Sequence, residues 1–186
     1  MFNPKDLRPY PHKFLCYQTL KEGKNEYGKA HIYSFRSEKT KRKYIIRLEE
    51  LPNQLFLIKF YQKIPFIPTS KKYKILTQTN DTLRIVATCI MVVKEVLNKN
   101  ELASFGCIGA RGFIKKNKEI IEETTENKTK RFKIWSLIFN RIASQTRFKP
   151  YDYEEKSIYI RFNTKNIKDE EKIIREWEQI LKELDT

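Results

Sequence analysis

The side chains with the clearest chemical potential in this sequence are cations, and they fall into two groups. The first group lies in a polar stretch between two strand-forming segments and comprises Lys39, Lys41, Arg42 and Lys43. Tyr33 and Tyr44 flank it. Lysines and arginines on one continuous face neutralise nucleic-acid phosphates, and aromatic rings among them can stack on bases. This group therefore predicts a contact with nucleic acid.

A second group of cations surrounds a segment with helical periodicity. Apolar residues recur every three to four positions over residues 130–145, which predicts an amphipathic helix with a basic polar side. With the adjoining segments, this group comprises Lys130, Arg131, Lys133, Arg141, Arg147, Lys149, Arg111, Lys115 and Lys116. Arg131 differs from the others because it falls on the apolar face of the helix. It either binds a carboxylate or strand carbonyls beneath the helix, or belongs to the functional surface.

The charge of the chain is unevenly distributed. Its 186 residues include 38 Lys and Arg against 23 Asp and Glu, a formal net charge of +15. Residues 1–74 hold 17 cations and 6 anions, residues 75–110 hold 3 of each, residues 111–149 hold 11 and 4, and residues 150–186 hold 7 and 10. A neutral, apolar centre between two basic flanks predicts a packed core whose outer surface binds a polyanion.

Residues for acid–base, nucleophilic or metal chemistry are sparse. His12 and His31 stand in no motif, and we expect both to be structural or solvated. Cys16, Cys89 and Cys107 are widely spaced, which disfavours a disulfide framework or a zinc site. Adjacent carboxylates alone do not define the octahedral site that magnesium needs. We therefore predict no catalytic residue, no metal and no cofactor.

One catalytic alternative remains. Small basic RNases can work without histidine, because Arg, Lys, Tyr and Ser side chains stabilise charge on the reacting phosphate and move its protons. Such a set in this chain would comprise Arg131, Lys133, Arg141 and Tyr151. With 38 cations and 10 tyrosines, many equivalent sets exist, so a metal-independent RNase toxin ranks below binding without catalysis.

A β-meander is predicted in the front third of the chain. Strand-forming residues recur in three segments, over residues 31–35, 44–48 and 55–61. Proline residues break the pattern after the third strand and indicate a surface connection. Residues 1–30 are predicted to be an irregular N-terminal segment of a single domain over residues 1–166.

A nearly all-apolar helix is predicted after the meander. The N-cap chemistry of residues 79–81 starts it, and it runs from about Leu83 to Asn98. Because its polar stripe is narrow, we expect it to lie buried across the meander. The other predicted elements are a short strand over residues 102–108, an irregular hairpin or mobile loop over 111–128 and a late strand over 157–162. The predicted fold class is α+β, with one mixed or antiparallel sheet and helices packed on one face.

Residues 167–186 are predicted to form a C-terminal amphipathic helix. Acidic residues stand in its first turn, where the helix dipole favours anions. Its apolar side is a candidate interaction surface made of Ile173, Trp177, Ile180, Leu181 and Leu184. This face either docks on its own domain or binds another subunit.

No segment of the sequence predicts membrane insertion. The longest strongly apolar stretch runs from Ile85 to Val93 and is about half of the roughly 20 residues that a span needs. The N-terminus lacks the apolar core of a secretory signal. We therefore expect a cytoplasmic protein with no membrane partner.

The strand FGCIGA and the later segment NKTKRFKIWSLIFNRI carry a family resemblance. With the apolar helix before them, they resemble small uncharacterised α+β proteins of Bacteroidota and their phages, over roughly residues 30–163. In that domain family of unknown function, a helix opens with Arg-x-x-x-Tyr. Arg131 and Trp135 stand at these positions, so this chain has Trp where the family has Tyr. The resemblance implies a fold outline and a mobile-element or phage-conflict setting, and no reaction.

Two function classes follow from these observations. The favoured one is a non-catalytic basic protein that contacts RNA or DNA, as a component of a phage-defence, counter-defence or toxin–antitoxin complex. The alternative is an assembly subunit of a phage or host complex that docks through its C-terminal helix and offers its basic surface to an acidic protein partner. An oligomer or a hetero-complex is compatible with both.

Overall fold

A seven-stranded sheet organises the chain. The computed structural model describes residues 8–22, 25–67, 81–108, 113–116, 119–122, 133–135, 137, 147–153, 158–166 and 170–184. The strands are β1 (His12–Glu22), β2 (Asn25–Arg36), β3 (Lys43–Leu51), β4 (Leu55–Gln62), β5 (Ser104–Ile108), β6 (Phe113–Lys116), β7 (Glu119–Glu122), β8 (Phe148–Tyr153) and β9 (Ile158–Asn163). The helices are α1 (Thr82–Lys99) and α2 (Glu170–Leu184), and residues 133–135 and 137 are also helical.

The strand order in the large sheet is β1-β2-β3-β4-β5-β9-β8. Each pair of neighbours is antiparallel except β4 and β5, which are parallel. Strands β6 and β7 form a separate hairpin within the region predicted to be an irregular hairpin or loop. The prediction of an α+β fold is therefore confirmed, and of the two predicted sheet types the large sheet is the mixed one.

The N-terminal meander has four strands rather than three. Strand β1 pairs with β2 from His12 opposite Phe35 to Glu22 opposite Asn25. The prediction of an irregular segment over residues 1–30 is therefore wrong for β1 and for the start of β2. A register shift between Phe14 and Cys16 inserts an extra residue into β1. This bulge breaks the two-residue alternation by which a strand is detected in a sequence.

Helices α1 and α2 cover opposite faces of the sheet. Helix α1 packs in one core cluster with Tyr33, Ile46 and Phe105, whereas Trp177 of α2 packs in a second cluster with Leu57 and Ile160. The prediction that all helices lie on one face is wrong. Every residue of β9 is buried, so this strand needs apolar cover on both faces.

The apolar side of the C-terminal helix packs on its own chain. Trp177 is 0% exposed, and its ring centroid lies 5.6 Å from that of Phe162. Its indole nitrogen donates to the Pro52 carbonyl over 3.1 Å. Ile173 and Ile180 pack against the same cluster, whereas the side chains of Leu181 and Leu184 lie outside the described residues. Trp177 is thus a core residue, and this part of the apolar face packs on its own domain, one of the two alternatives that the sequence left open.

The other helical predictions agree with the structure where it describes them. Helix α1 begins and ends within one residue of the predicted bounds and is buried on most sides. Residues 133–135 and 137 confirm helix within the predicted segment 130–145, and Trp135 is buried with its ring centroid 6.2 Å from that of Phe60. Strand β9 is the predicted late strand, whereas β8 was not predicted.

Replacing Trp177 with alanine tests the packing of α2. We expect Trp177→Ala to lower the free energy of unfolding by about 3–5 kcal/mol, because it removes a buried ring and leaves a cavity. Urea unfolding measures the change. Arg175→Ala is the control, since this arginine is 76% exposed and its pair with Glu171 should contribute about 0.5 kcal/mol or less. Equal stability of the two variants would contradict the described packing.

Alkaline unfolding tests the contact between β8 and α2. Tyr151 and Tyr153 donate hydrogen bonds to Glu170 and Glu178. Burial, and then the Glu170 hydrogen bond, raises the pKa of Tyr151 to about 12. A raised folded pKa gives a stabilisation that is complete below the unfolded value of about 10 and is lost as the pH rises through the folded value. We expect Tyr151→Phe to reduce the fall in unfolding free energy above about pH 10. An unchanged pH profile in urea unfolding would contradict this.

Candidate nucleic-acid interface

The first predicted group of cations lies on the connection between β2 and β3. The backbone of this hairpin is closed by two hydrogen bonds, from the Ser37 nitrogen to the Arg42 carbonyl at 3.0 Å and from the Lys41 nitrogen to the Ser37 carbonyl at 2.9 Å. Lys41 has a φ of 58°, in the left-handed region. Lys39, Lys41 and Arg42 are exposed. The hydrogen-bonded turn therefore holds these three cations at the surface.

The two arginines at this hairpin are held by neutral acceptors. Arg36 donates from Nη1 to the Lys41 carbonyl over 2.7 Å, and Arg42 donates from Nη1 to Gln62 Oε1 over 3.0 Å. The hairpin also contains a carboxylate, Glu38, but it pairs with Arg84 of α1 at 3.1 Å. The two guanidinium groups are thus oriented, and no carboxylate of the described residues pairs with either of them.

Neighbouring strands add further cations to the hairpin. Lys13 of β1 lies opposite Ser34 of β2, and Arg36 lies opposite Lys43 at the start of β3. The backbone nitrogen of Lys63 donates to the Lys43 carbonyl over 2.8 Å. This bond places Lys63, which is exposed, beside the start of β3. We call the whole set the basic end, and its members are Lys13, Arg36, Lys39, Lys41, Arg42, Lys43 and Lys63. Within the described part of the chain, no carboxylate pairs with any of them.

A cleft of about 360 Å³ opens within the basic end. Its lining residues come from the start of β1, the end of β2 and the start of β3, and they are Pro11, His12, Lys13, Ser34, Phe35, Arg36 and Lys43. Three of these side chains are cations, and none is a carboxylate. The cleft therefore favours an anionic ligand.

The same face of the meander carries a compensated charge cluster farther along the strands. Glu49 accepts from Arg47 Nε and from Lys59 Nζ, each at 2.6 Å, and its side chain is 8% exposed. Tyr61, directly opposite Ile45, is half-buried near this cluster. Burial raises the pKa of Tyr61, so the phenol stays neutral. One carboxylate thus balances part of this cluster, in contrast to the basic end.

A buried carboxylate fixes the base of the hairpin. Asp81 is 1% exposed and accepts hydrogen bonds from Tyr10, over 2.6 Å, and from the Ser37 hydroxyl. Asp81 is the N-cap residue of α1, as predicted, yet its side chain forms no cap hydrogen bond because it is bound to these hydroxyls. The Arg84 guanidinium lies 4.0 Å from the centroid of the Tyr10 ring. The N-terminal segment, the hairpin and α1 therefore meet at one carboxylate.

The second predicted group of cations is only partly described. Lys133 is exposed on a helical segment, and Lys115 and Lys116 lie on β6. Lys149 pairs with Glu170 at 2.8 Å, and Arg147 donates to the Glu101 carbonyl over 3.1 Å. Arg111, Lys130, Arg131 and Arg141 lie outside the described residues. The structure brings the first group together, whereas the described members of the second group, Lys115, Lys116, Lys133, Arg147 and Lys149, lie on separate elements.

The histidines and cysteines have structural surroundings. His12 contacts Glu95 at 2.7 Å and His31 contacts Glu50 at 3.0 Å, in each case through Nε2. Cys89 and Cys107 are buried in the core, and burial raises the pKa of both thiols. Among the residues that the structure describes, no three metal-ligating side chains form a group.

Of the four residues proposed for an RNase, the structure describes only Lys133 and Tyr151. Tyr151 is bound to Glu170 of α2, and its raised pKa makes it a poor base at neutral pH. Lys133 is exposed on a different element, and Arg131 and Arg141 fall outside the described ranges. The described part of the chain thus adds no support for this set.

Lys13, Arg36 and Lys63 are members of the basic end that the sequence analysis missed. Lys13 belongs to the unpredicted strand β1, and Lys63 follows β4. A strand assignment over residues 12–22 would have provided the signal, because an antiparallel partner of β2 must begin beside the end of β2. Arg36 is the last residue of β2, so its position beside the hairpin cations was already a signal in the sequence.

No protein-family model, curated protein or solved structure matches this chain. In addition, none of the helices described is both long enough and apolar enough to cross a membrane.

Substitution of Asp81 tests the anchoring of the hairpin. Asp81→Ala leaves the buried hydroxyls of Tyr10 and Ser37 without their acceptor, so we expect the free energy of unfolding to fall by about 2–4 kcal/mol. We also expect faster amide exchange at Lys41, whose nitrogen is bonded within the hairpin. Urea unfolding and hydrogen exchange measure the two effects.

Glu38→Ala is the matched control for this substitution. Its side chain is 65% exposed and forms an ion pair with Arg84, so we expect a loss of about 0.5 kcal/mol or less. If Asp81→Ala proved as mild as Glu38→Ala, the buried carboxylate would not hold the hairpin.

Proposed function

We propose that this protein binds nucleic acid without catalysis, through the basic end of its sheet. The observation that carries the proposal is the convergence of seven cations from β1, the β2–β3 hairpin and the end of β4, with no described carboxylate paired to them. Phosphate groups of a nucleic acid supply the missing negative charge. Release of condensed counterions then favours association.

The arrangement also suits a polymer better than a single small anion. Lys39, Lys41 and Arg42 are exposed on the hairpin, while Lys13 lies on β1 and Lys63 follows β4. Several separate phosphates can therefore be neutralised at once, as along a nucleic-acid backbone. Arg36 and Arg42 are already oriented by neutral acceptors. Binding of a nucleic acid to these two side chains therefore costs little additional side-chain entropy.

The assembly alternative loses its main support in the described structure. Trp177, at the centre of the proposed docking face, is buried in the core of its own chain. An acidic protein could still bind the basic end, and this partner is a competing outcome of the experiments below. The setting in phage defence, counter-defence or a toxin–antitoxin complex stays a prediction.

Charge reversal on the hairpin tests the proposed interface. We expect Lys39→Glu with Lys41→Glu to weaken binding to single-stranded RNA or DNA and to lower the slope of log affinity against log salt by about 2, because two phosphate contacts are removed. Fluorescence anisotropy over a salt series measures both quantities. Lys94→Glu with Lys99→Glu makes the same change in net charge on α1, where both lysines are exposed, and should leave most of the slope intact.

The outcomes separate the candidate surfaces and partners. Equal losses in both double variants would mean that net charge alone drives binding, which contradicts a local interface. If Lys133→Glu weakened binding and the hairpin variant did not, the interface would lie on the second group of cations. Purification from the host with and without nuclease adds a direct test: a stoichiometric protein retained after nuclease treatment would favour the acidic partner. Loss of intact RNA during the assay would favour the RNase.

A further inference from the structure

The cleft in the basic end has the composition of an anion site. Sheet register places Lys13 opposite Ser34 and Arg36 opposite Lys43, so three cations and a hydroxyl come from three adjacent strands. Pro11 and Phe35 also line the cleft and supply apolar surface. At about 360 Å³, the cleft lies within the size range of small-ligand sites.

The cations in this cleft are positioned by the fold. Arg36 Nη1 is bound to the Lys41 carbonyl at 2.7 Å, which uses one of the five guanidinium protons and leaves the others for a ligand. The Ser37–Asp81 hydrogen bond holds the hairpin that supplies this carbonyl. Lys43 lies directly across from Arg36 on the neighbouring strand. The Arg36 contact and the strand register thus hold the three cationic residues at one cleft despite their like charges.

The number of charges distinguishes two kinds of phosphate. An internal phosphodiester carries one negative charge, whereas a phosphate monoester carries about 1.5 to 2 at neutral pH and has three terminal oxygens. Three cations without a carboxylate match the monoester better. The remaining hairpin cations Lys39, Lys41 and Arg42 lie outside the cleft lining and are available for the diesters that follow.

We propose that the cleft lined by Lys13, Arg36 and Lys43 binds the terminal phosphate monoester of a nucleic-acid strand. The proposal rests on the nucleic-acid binding proposed above and adds recognition of a strand end. The monoester could come from a 5′ end or a 3′ end, since both present the same charge and oxygen atoms. The hairpin would then guide the adjoining backbone away from the cleft.

Short oligonucleotides of one sequence test this proposal. Fluorescence anisotropy compares a 5′-phosphorylated strand, a 3′-phosphorylated strand and hydroxyl-ended versions of each, with the dye on the opposite end. We expect one phosphorylated strand to bind about tenfold more tightly than its hydroxyl-ended match, the effect of one well-placed set of hydrogen bonds to a charged group. Lys13→Ala with Lys43→Ala should reduce this ratio to near one. Lys94→Ala with Lys99→Ala, which removes equal charge from α1, should preserve it.

Each other outcome overturns a defined part of the argument. Equal binding of all strands, still sensitive to Lys39→Glu with Lys41→Glu, would overturn the strand-end site and leave the nucleic-acid interface standing. If no strand bound but a nucleoside monophosphate shifted the amide signals of Lys13 and Lys43 in NMR spectra, the cleft would be a small-molecule site and strand-end recognition would fail. If neither bound, both proposals would fail.

Discussion

The buried carboxylate of Asp81 is the interaction on which the arrangement of the basic end depends. An ionised carboxylate is costly to bury without hydrogen bonds, so its bonds to Tyr10 and Ser37 must form together with the core around them. These bonds fix the N-terminal segment and the hairpin relative to α1. The position of the surface cations on the hairpin therefore depends on Asp81, which is buried.

Acidic and basic side chains lie at different places on the sheet. On one side of the molecule, Glu170, Glu176 and Glu178 of α2 are used in hydrogen bonds to β8 and to the 52–54 turn. Lys149 is drawn into this network and no longer contributes a free positive charge. Among the described residues, no carboxylate of α2 pairs with a cation of the basic end. The acidic C-terminal region thus compensates its own surroundings, and the excess positive charge stays at the basic end.

The sequence predicted those features that depend on local periodicity. Helix α1, the strands β2 to β4 and β9, and the hairpin cations could all be located because their residues alternate or recur at short range. Strand β1 was missed because a bulge interrupts its alternation of apolar and polar residues. The placement of the helices on both faces was missed because the apolar side of a helix does not indicate which face of the sheet it covers. The Asp81 network was unpredictable for another reason. Its partners Tyr10 and Ser37 lie 71 and 44 residues away in the sequence, and only the folded chain brings them together.

The parallel pairing of β4 with β5 has a kinetic consequence. Strands β1 to β4 are joined by short connections and can form by successive local hairpins, whereas β5 reaches β4 only after a crossover that contains α1. Closing that crossover costs chain entropy before the pairing of β4 with β5 stabilises the sheet, and this slows folding. During synthesis, the meander leaves the ribosome first and presents β4 as an exposed edge until β5 arrives. The apolar helix α1, which emerges between them, can cover the meander in that interval.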